Sequence, residues 1–315
     1  MPKKEIGVGG QAVIEGVMMR GPKHIATAVR RKNGTIEVKK QVFETITQTN
    51  KFLGLPLMRG FVSLLEMMKI GFSSLNFSVS RFELDFEDES SKTKSKFRGK
   101  AEEIVSYAFA FGLAFLLFAF LPYQIADWLG LAKKSLYFNL FAGTTRIIFF
   151  VVYIWIISLM KDVHRLFEYH GSEHKTVFAY ENNEVLIPEN VRKYSTLHPR
   201  CGTSFIFIVL LTSILIFSIV DTIVMMKIGF PSIWIRLSYH LFLVPLVSGI
   251  SYEFLKFSGK NINNHLVKIM TWPGLTLQRI TTQPPDDKQL EVAIIALKAA
   301  LELDLSNDNI TWIED

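Results

Sequence analysis

Four long apolar stretches occupy most of the chain from residue 104 onward. Residues 104–126 carry no charge over 23 positions, residues 136–160 carry only Arg146, residues 202–220 carry none, and residues 228–255 carry Arg236 and Glu253. A helix of about 20 mainly apolar residues crosses roughly 30 Å of hydrocarbon. The pattern therefore predicts an α-helical polytopic membrane protein with about four transmembrane helices, arranged as two hairpins.

The first 44 residues show a strand pattern instead. Three β-branched runs, residues 11–19, 25–31 and 35–43, are separated by turn-forming residues. Asn33 and Gly34 match the dipeptide that favours a type I′ hairpin turn. We expect a small β unit here.

The C-terminal segment predicts one amphipathic helix. It follows the break at Pro284 and Pro285, and Asp286 or Asp287 is expected to cap it. One apolar face is formed by Leu290, Ile294, Leu297 and Leu301. Because this face needs a partner, we expect it to pack on the N-terminal strands, so that both ends of the chain form one small α+β module.

Two further segments lie between the strands and the membrane helices. In residues 57–75, apolar side chains recur at helical spacing opposite a polar face, which predicts a helix on the membrane surface or against the spans. Residues 85–100 change to acids followed by a Lys/Ser run, which is typical of a linker. The predicted organisation is a β-rich unit (1–50), an interfacial helix (51–82), a charged linker (83–102), a transmembrane domain (103–260) with a motif loop (161–203), and a C-terminal segment (261–315).

The distribution of positive charge predicts the orientation in the membrane. Of the 35 Lys and Arg residues, 18 precede the first span, six lie in residues 161–200 and six follow residue 255, while the two short connections hold three. The positive-inside rule places the N-terminus, the motif loop and the C-terminus in the cytosol of a cell-membrane protein. Attraction to anionic lipid headgroups accounts for the net charge of +6. No interleaved basic and aromatic motif indicates nucleic-acid binding.

The N-terminus and the cysteine content agree with a cytosolic face. The first residues lack a long uncharged apolar region, so no cleaved signal peptide is expected. The single cysteine, Cys201, excludes an internal disulfide and fits a reducing compartment.

The string HGSEH, residues 170–174, carries the main candidate chemistry. His170 and His174 are four apart, so both rings leave one face of a helix with Glu173 beside them. His198 and Cys201, in the string TLHPRCGTSF, are expected at the same membrane depth. A tetrahedral Zn²⁺ needs three or four such N, S or O ligands, and a catalytic site keeps one position for water.

The spacing H-x-x-E-H also matches the inverzincin pattern, in which the Glu is a general base. In that pattern Glu253 would be a distant third ligand. The alternative is an ordinary polar turn in which the histidines bind carbonyls or lipid phosphates and Cys201 is a small buried residue.

Other charged residues have structural and functional interpretations. Glu15 either pairs with Arg20 or joins the metal site, and Arg200 is a lipid-facing cation or an oxyanion donor. Arg146 and Arg236 are costly inside spans, so each is expected to face a polar interior.

Four strings in the same order, GGQAVIEGVMMRGP, HGSEHKT, HPRCGTSF and PGLTLQRITTQPPDDKQLEVAI, resemble the YqhQ family. These are bacterial multi-pass membrane proteins with a domain of unknown function and relatives in chloroplasts, described as predicted metal-dependent enzymes. The resemblance covers nearly the whole chain. It implies that the motif positions are Gly10, Gln11, Glu15, Gly16, Arg20, Gly21, His170, Glu173, His174, His198, Arg200, Cys201 and residues 278–287.

Three functional hypotheses follow. The first is a metal-dependent membrane hydrolase in which His170, His174 and one or two of His198, Cys201 and Glu253 bind Zn²⁺, while Glu173 transfers protons. The second is a non-enzymatic scaffold or assembly factor that binds another membrane protein. The third is a lipid or ion transporter, motivated by Arg146, Arg236 and His240 within spans.

Overall fold

A computed structural model describes residues 7–85, 96–131, 136–229, 231–261, 264–306 and 309–313. The chain divides into two compact units. The first comprises Met1–Phe86, Ile156–Ile208 and Ser248–Asp315, and the second comprises Glu87–Trp155 and Val209–Val247.

The first unit contains a five-stranded mixed sheet in the order β1-β2-β3-β4-β5. Its strands are β1 (Gly9–Val13), β2 (Gly16–Arg20), β3 (His24–Arg30), β4 (Ile36–Val42) and β5 (Ile310–Ile313). The first four pair antiparallel, and β5 pairs parallel to β4, with Ile36 opposite Ile310. The two ends of the chain therefore contribute strands to one sheet. The predicted module included only the C-terminal helix, so the pairing of β5 was not expected.

The predicted single strand over residues 11–19 is wrong, because a tight turn at Ile14 and Glu15 divides it into β1 and β2. Val13 pairs with Gly16, and Glu15 adopts a left-handed conformation with φ 52°. A Cβ on Gly16 would lie 2.2 Å from the carbonyl oxygen of Ala28. Glycine is therefore needed where the turn approaches β3.

The predicted type I′ turn at Asn33 and Gly34 is also corrected. Only Gly34 of this pair has positive φ, at 90°, whereas a type I′ turn needs positive φ at both positions. The amide of Arg31 donates to the carbonyl of Thr35 at 2.9 Å, which leaves a three-residue loop ending in a left-handed glycine.

The sheet lies between helices on both faces. Helix α11 (Asp287–Ala300) covers one face, where Ala26, Ala28 and Val38 belong to the same core as Ile295 and Leu297. Its N-cap is Asp286, which forms a capping box with Gln289 and confirms the predicted cap. Helix α6 (Lys161–Glu181) packs beside α11 and against β1.

Two helices follow β4, the short α1 (Ile46–Thr49) and the long α2 (Met58–Leu84). Helix α2 covers the other face of the sheet with small residues: Thr27 Oγ1 donates to Ser74 Oγ at 3.2 Å, and the amide of Ile14 donates to Ser78 Oγ at 3.2 Å. The predicted helix is present and extends further than its apolar pattern indicated. Residues 86–95 of the predicted linker lie outside the described residues, and the chain is helical again from Lys96.

Four helices in the described part of the chain are long and apolar enough to cross a membrane, which confirms the predicted fold class. The candidate spans are Ala108–Trp128, Leu136–Ser158, Ser204–Ile228 and Trp234–Gly259. They lie in α3 (Lys96–Phe115) with its π-helical continuation (Leu116–Phe120) and α4 (Leu121–Trp128), in α5 (Leu136–Ser158), in α8 (Gly202–Ile228) and in α9 (Ile233–Lys260). The short α7 (Pro188–Val191) precedes α8, and α10 (His265–Thr281) follows α9.

Candidate metal centre

Helix α6 carries the HGSEH string in its interior, so these residues are helical and do not form a turn. Ser172, Glu173 and His174 are buried, with Glu173 5% and His174 1% exposed. Gly171 allows a close approach, because a Cβ there would meet the carbonyl oxygen of Gln283. The amide of Gln283 donates to the carbonyl of Phe167 at 2.9 Å, which holds the segment after α10 against α6.

Backbone carbonyls fix the tautomers of both helical histidines. Nδ1 of His170 donates to the carbonyl oxygen of Thr281 at 2.7 Å, and Nδ1 of His174 donates to that of Thr196. A carbonyl only accepts, so each Nδ1 carries the proton and each Nε2 presents a lone pair. This second hydrogen bond is the usual arrangement of a metal-binding histidine.

Cys201 completes a group of three ligand atoms with His170 and His174. Sγ of Cys201 lies 3.3 Å from Nε2 of His170, and the three ligand atoms lie within 4.8 Å of one another. Nε2 of His174 is buried and has no hydrogen-bond partner among the described residues. Burial lowers the pKa of both imidazoles, which favours the neutral form that binds metals. The group could hold a metal ion.

Gln278 of α10 positions the turn that carries Cys201. Its side chain accepts from the amide of His198 at 2.8 Å and donates to the carbonyl of His198 at 2.9 Å and to Ser204 Oγ at 2.8 Å. Gln278 is fully buried. The side-chain amide of Gln278 thus takes the place of a backbone partner for both the N–H and the C=O of His198. The turn that it holds places Cys201 at the start of α8.

His198 lies beside this group but has a different hydrogen-bond pattern. Its ring centroid is 5.6 Å from that of His174. Its Nδ1 accepts from the amide of Arg200 at 3.3 Å, so the proton is on Nε2, which lies 3.7 Å from Oε2 of Glu181. Burial lowers the pKa of His198. In this tautomer Nε2 of His198 carries a proton, has no hydrogen-bond partner among the described residues, and does not present a lone pair to a metal ion.

Glu173 lies between His174 and the first strand. Its Oε2 is 3.4 Å from Nε2 of His174, and the amide of Gly10 donates to its carboxyl group. A Cβ on Gly10 would lie 2.8 Å from Cγ of Glu173, so β1 approaches the carboxyl through a glycine. Burial raises the pKa of Glu173, opposed by His170, His198 and the Gly10 amide. A carboxyl group in this environment can hold a proton at a higher pH than an exposed one.

The other predicted candidates lie elsewhere. Glu253 forms a bidentate ion pair with Arg59 at 2.5 and 2.6 Å. Glu15 pairs with Arg165 at 2.7 Å and not with Arg20. The guanidinium of Arg20 stacks on the ring of Phe43, with 4.4 Å between its Cζ and the ring centroid.

Arg200 forms an ion pair with Glu181, a residue that the sequence reasoning missed. Glu181 lies seven positions after His174, which places both on one face of α6. That spacing was the available signal, since α6 continues to Glu181. The specific role of Gln278 was also missed, because its partners are 74 and 80 positions away.

Comparison with known proteins identifies the family. The family described as "Protein of unknown function (DUF1385)" matches residues 55–303. This chain belongs to that family. It is also similar to uncharacterized protein YqhQ of Bacillus subtilis (strain 168), with 34% identity over 311 residues, covering 96% of this chain and 94% of that protein. No solved structure matches the chain. The predicted family resemblance is confirmed.

Proposed function

We propose that this membrane protein is a metal-dependent hydrolase that binds Zn²⁺ through His170 Nε2, His174 Nε2 and Cys201 Sγ. The convergence of these three atoms carries the proposal. Atoms that share a tetrahedral Zn²⁺ lie roughly 3.3–3.7 Å apart when metal–ligand distances are about 2.0–2.3 Å. The 3.3 Å between His170 Nε2 and Cys201 Sγ falls in this range.

The donor set favours zinc over hard cations. Imidazole nitrogen and thiolate sulfur suit Zn²⁺, whereas Mg²⁺ and Ca²⁺ prefer oxygen ligands. Three protein ligands leave one of four tetrahedral positions for a substrate atom. A zinc ion in this position supplies a Lewis acid for hydrolysis.

The proton-transfer group in this proposal is Glu173. Its carboxyl lies beside His174 but outside the group of three ligand atoms, and it is held in place by the Gly10 amide. A general acid–base group works best when its pKa lies near the working pH, and burial shifts Glu173 in that direction. We propose that His198, which has its proton on Nε2, orients a hydrogen-bond acceptor atom of the substrate. We also propose that it orients the Arg200 side chain through Glu181.

We propose that the centre lies at the cytosolic face of the cell membrane, with both termini in the cytosol. The concentration of positive charge before the first span, in residues 161–200 and after residue 255 supports this orientation.

Metal content tests the proposal directly. The purified full-length protein in detergent is expected to contain about one zinc ion per chain by elemental analysis, as a three-ligand site requires. His170→Ala, His174→Ala and Cys201→Ser should each lose the metal, while Glu173→Gln should retain it. His164→Ala is the matched control, because His164 lies on the same helix, is half exposed and interacts with Glu168 at 3.6 Å.

Cysteine reactivity gives a second readout. A thiolate that binds metal reacts slowly with alkylating reagents, so Cys201 should react faster after a chelator is added. Wild-type protein with far less than one metal per chain, and equal alkylation rates with and without chelator, would contradict the metal centre and favour the hypothesis of a non-enzymatic scaffold.

Hydrolysis can be measured with p-nitrophenyl ester and p-nitrophenyl phosphate probes. Wild type should turn these probes over and Glu173→Gln should not. Equal turnover by both proteins would exclude Glu173 as the base.

A further inference from the structure

The second unit contains a network of ionisable residues inside the candidate spans. Asp221 of α8 is 2% exposed, and its carboxylate accepts from three residues of α9. Tyr239 Oη donates at 2.6 Å, His240 Nε2 donates at 2.8 Å, and Arg236 forms an ion pair with the other carboxylate oxygen. Positions 236, 239 and 240 lie on one face of a helix, so α9 directs all three donors at one acid.

Helices α4 and α5 complete the surroundings of Arg236. Its Nη2 also donates to Asn139 Oδ1 of α5 at 3.4 Å, and its Cζ lies 5.7 Å from the ring centroid of Tyr123 of α4. Asn139 is buried and donates to Thr222 of α8 at 3.4 Å. Polar groups from four helices therefore meet in this part of the unit.

Among the described residues of this network, the formal charges do not cancel. Asp221 supplies one negative charge, whereas Arg236 and Arg146 supply two positive charges when His240 is counted as neutral. Nε of Arg146 is buried and has no hydrogen-bond partner among the described residues. Arg146 is repelled by Arg236 and attracted by Asp221, but the carboxylate of Asp221 already accepts from the three α9 donors.

We infer that Arg146 and Arg236 bind an anionic phosphate group within the second unit. An uncompensated guanidinium in a span is costly, and such residues mark ligand or ion sites. The planar fork of arginine fits phosphate oxygens with two parallel hydrogen bonds. The phosphate could come from an anionic lipid headgroup or from a free anion, and both sources offer the same chemistry to the two arginines.

Ligand-dependent thermal stability tests this inference and separates the two sources. The full-length protein in neutral detergent is titrated with inorganic phosphate in one series and with phosphatidylglycerol in the other, with phosphatidylcholine as the lipid blank. The unfolding midpoint of wild type should rise in at least one series. For Arg146→Gln the half-saturating concentration should increase by about tenfold or more, because a charge-assisted hydrogen bond is lost.

Two controls distinguish this site from general attraction to anions. Lys227→Gln removes an exposed cation at the end of α8 and should respond as wild type does. His164→Ala should also respond as wild type, because His164 is half exposed on α6 and belongs neither to the candidate metal centre nor to this network. A phosphate-only response identifies a free anion, and a response only to phosphatidylglycerol identifies a lipid. No response in wild type, or an equal response in Arg146→Gln, would overturn the inference.

Discussion

Gln278 binds both backbone groups of His198, although the two residues are 80 positions apart in the chain. The side chain acts as a substitute peptide group: its oxygen accepts from the amide and its nitrogen donates to the carbonyl. Through this contact α10 holds the turn that leads to Cys201. The same helix ends at Thr281, whose carbonyl fixes the tautomer of His170. One helix therefore supports two of the three proposed ligands.

Replacing Gln278 with Leu should weaken both stability and metal binding. The change leaves buried backbone groups of His198 without partners, at a cost of about 1–3 kcal/mol for each. The thermal midpoint and the zinc content of the purified protein measure the two effects. Gln48→Leu, at an exposed position, is the control and should alter neither. Unchanged metal content in Gln278→Leu would show that the turn is held by other contacts.

Gly10 and Gly9 offer a matched pair on β1. A Cβ on Gly10 would lie 2.5 Å from the carbonyl oxygen of Met18 and 2.8 Å from Cγ of Glu173, whereas a Cβ on Gly9 has nothing within 4 Å. Overpacking of a buried site typically costs about 1–3 kcal/mol. Gly10→Ala should therefore lower the unfolding midpoint by several degrees, and Gly9→Ala should leave it nearly unchanged. Equal midpoints for the two variants would argue against the close approach of β1 to Glu173.

The exposed face of α2 should contact lipid. Small residues of α2 pack on the sheet, while Leu65, Met68 and Phe72 remain 50%, 48% and 60% exposed. Replacing these three residues with Ser should reduce the membrane depth of a spin label at Lys69, since each apolar side chain contributes about 1.5–3 kcal/mol when fully buried in an apolar environment. If the label depth does not change, this face contacts protein instead.

The orientation in the membrane can be tested with single cysteines in a Cys201→Ser background. Ser90→Cys, Val185→Cys and Ser306→Cys should be protected from a membrane-impermeant reagent added to intact cells, as the positive-inside rule requires. Leu129→Cys and Ser232→Cys, in the two short connections, should react. Labelling of position 185 from outside the cell would contradict the proposed location of the metal centre at the cytosolic face.

Asp85 should make stability depend on pH. Its carboxylate accepts from Arg31 Nε at 3.0 Å and from the amide of Lys32 at 3.2 Å, and the bond to Arg31 lowers the pKa of Asp85 below its usual 3.8. A depressed pKa in the folded state stabilises the protein above the unfolded value, and this contribution is lost as the pH falls through the folded value. Asp85→Asn should cost on the order of 1 kcal/mol at neutral pH and less under acid conditions. A difference in midpoint that stays constant from pH 7 to acid pH would contradict this.

The amino-acid sequence alone determined the elements whose signals are local. Long apolar runs with few or no charges identify the four candidate spans, because a charge in hydrocarbon is costly whatever the tertiary structure. The capping box of Asp286 and Gln289 depends on residues three apart, so the start of α11 was also predictable. The spacing of His170 and His174 was sufficient to place both rings on one helical face.

Only the tertiary structure decided which of the candidate residues meet. The amphipathic pattern of α2 did not show that glycine and serine form its packed face, because such residues carry no hydrophobic signal. The pairing of β5 with β4 joins residues more than 270 positions apart. A local sequence pattern cannot predict which distant strand will be the partner. Glu253 and Cys201 were both candidate ligands. Glu253 forms an ion pair with Arg59, whereas the turn held by Gln278 brings Cys201 Sγ to 3.3 Å from His170 Nε2. The physical reason is that long-range hydrogen bonds and ion pairs depend on where the chain returns in space.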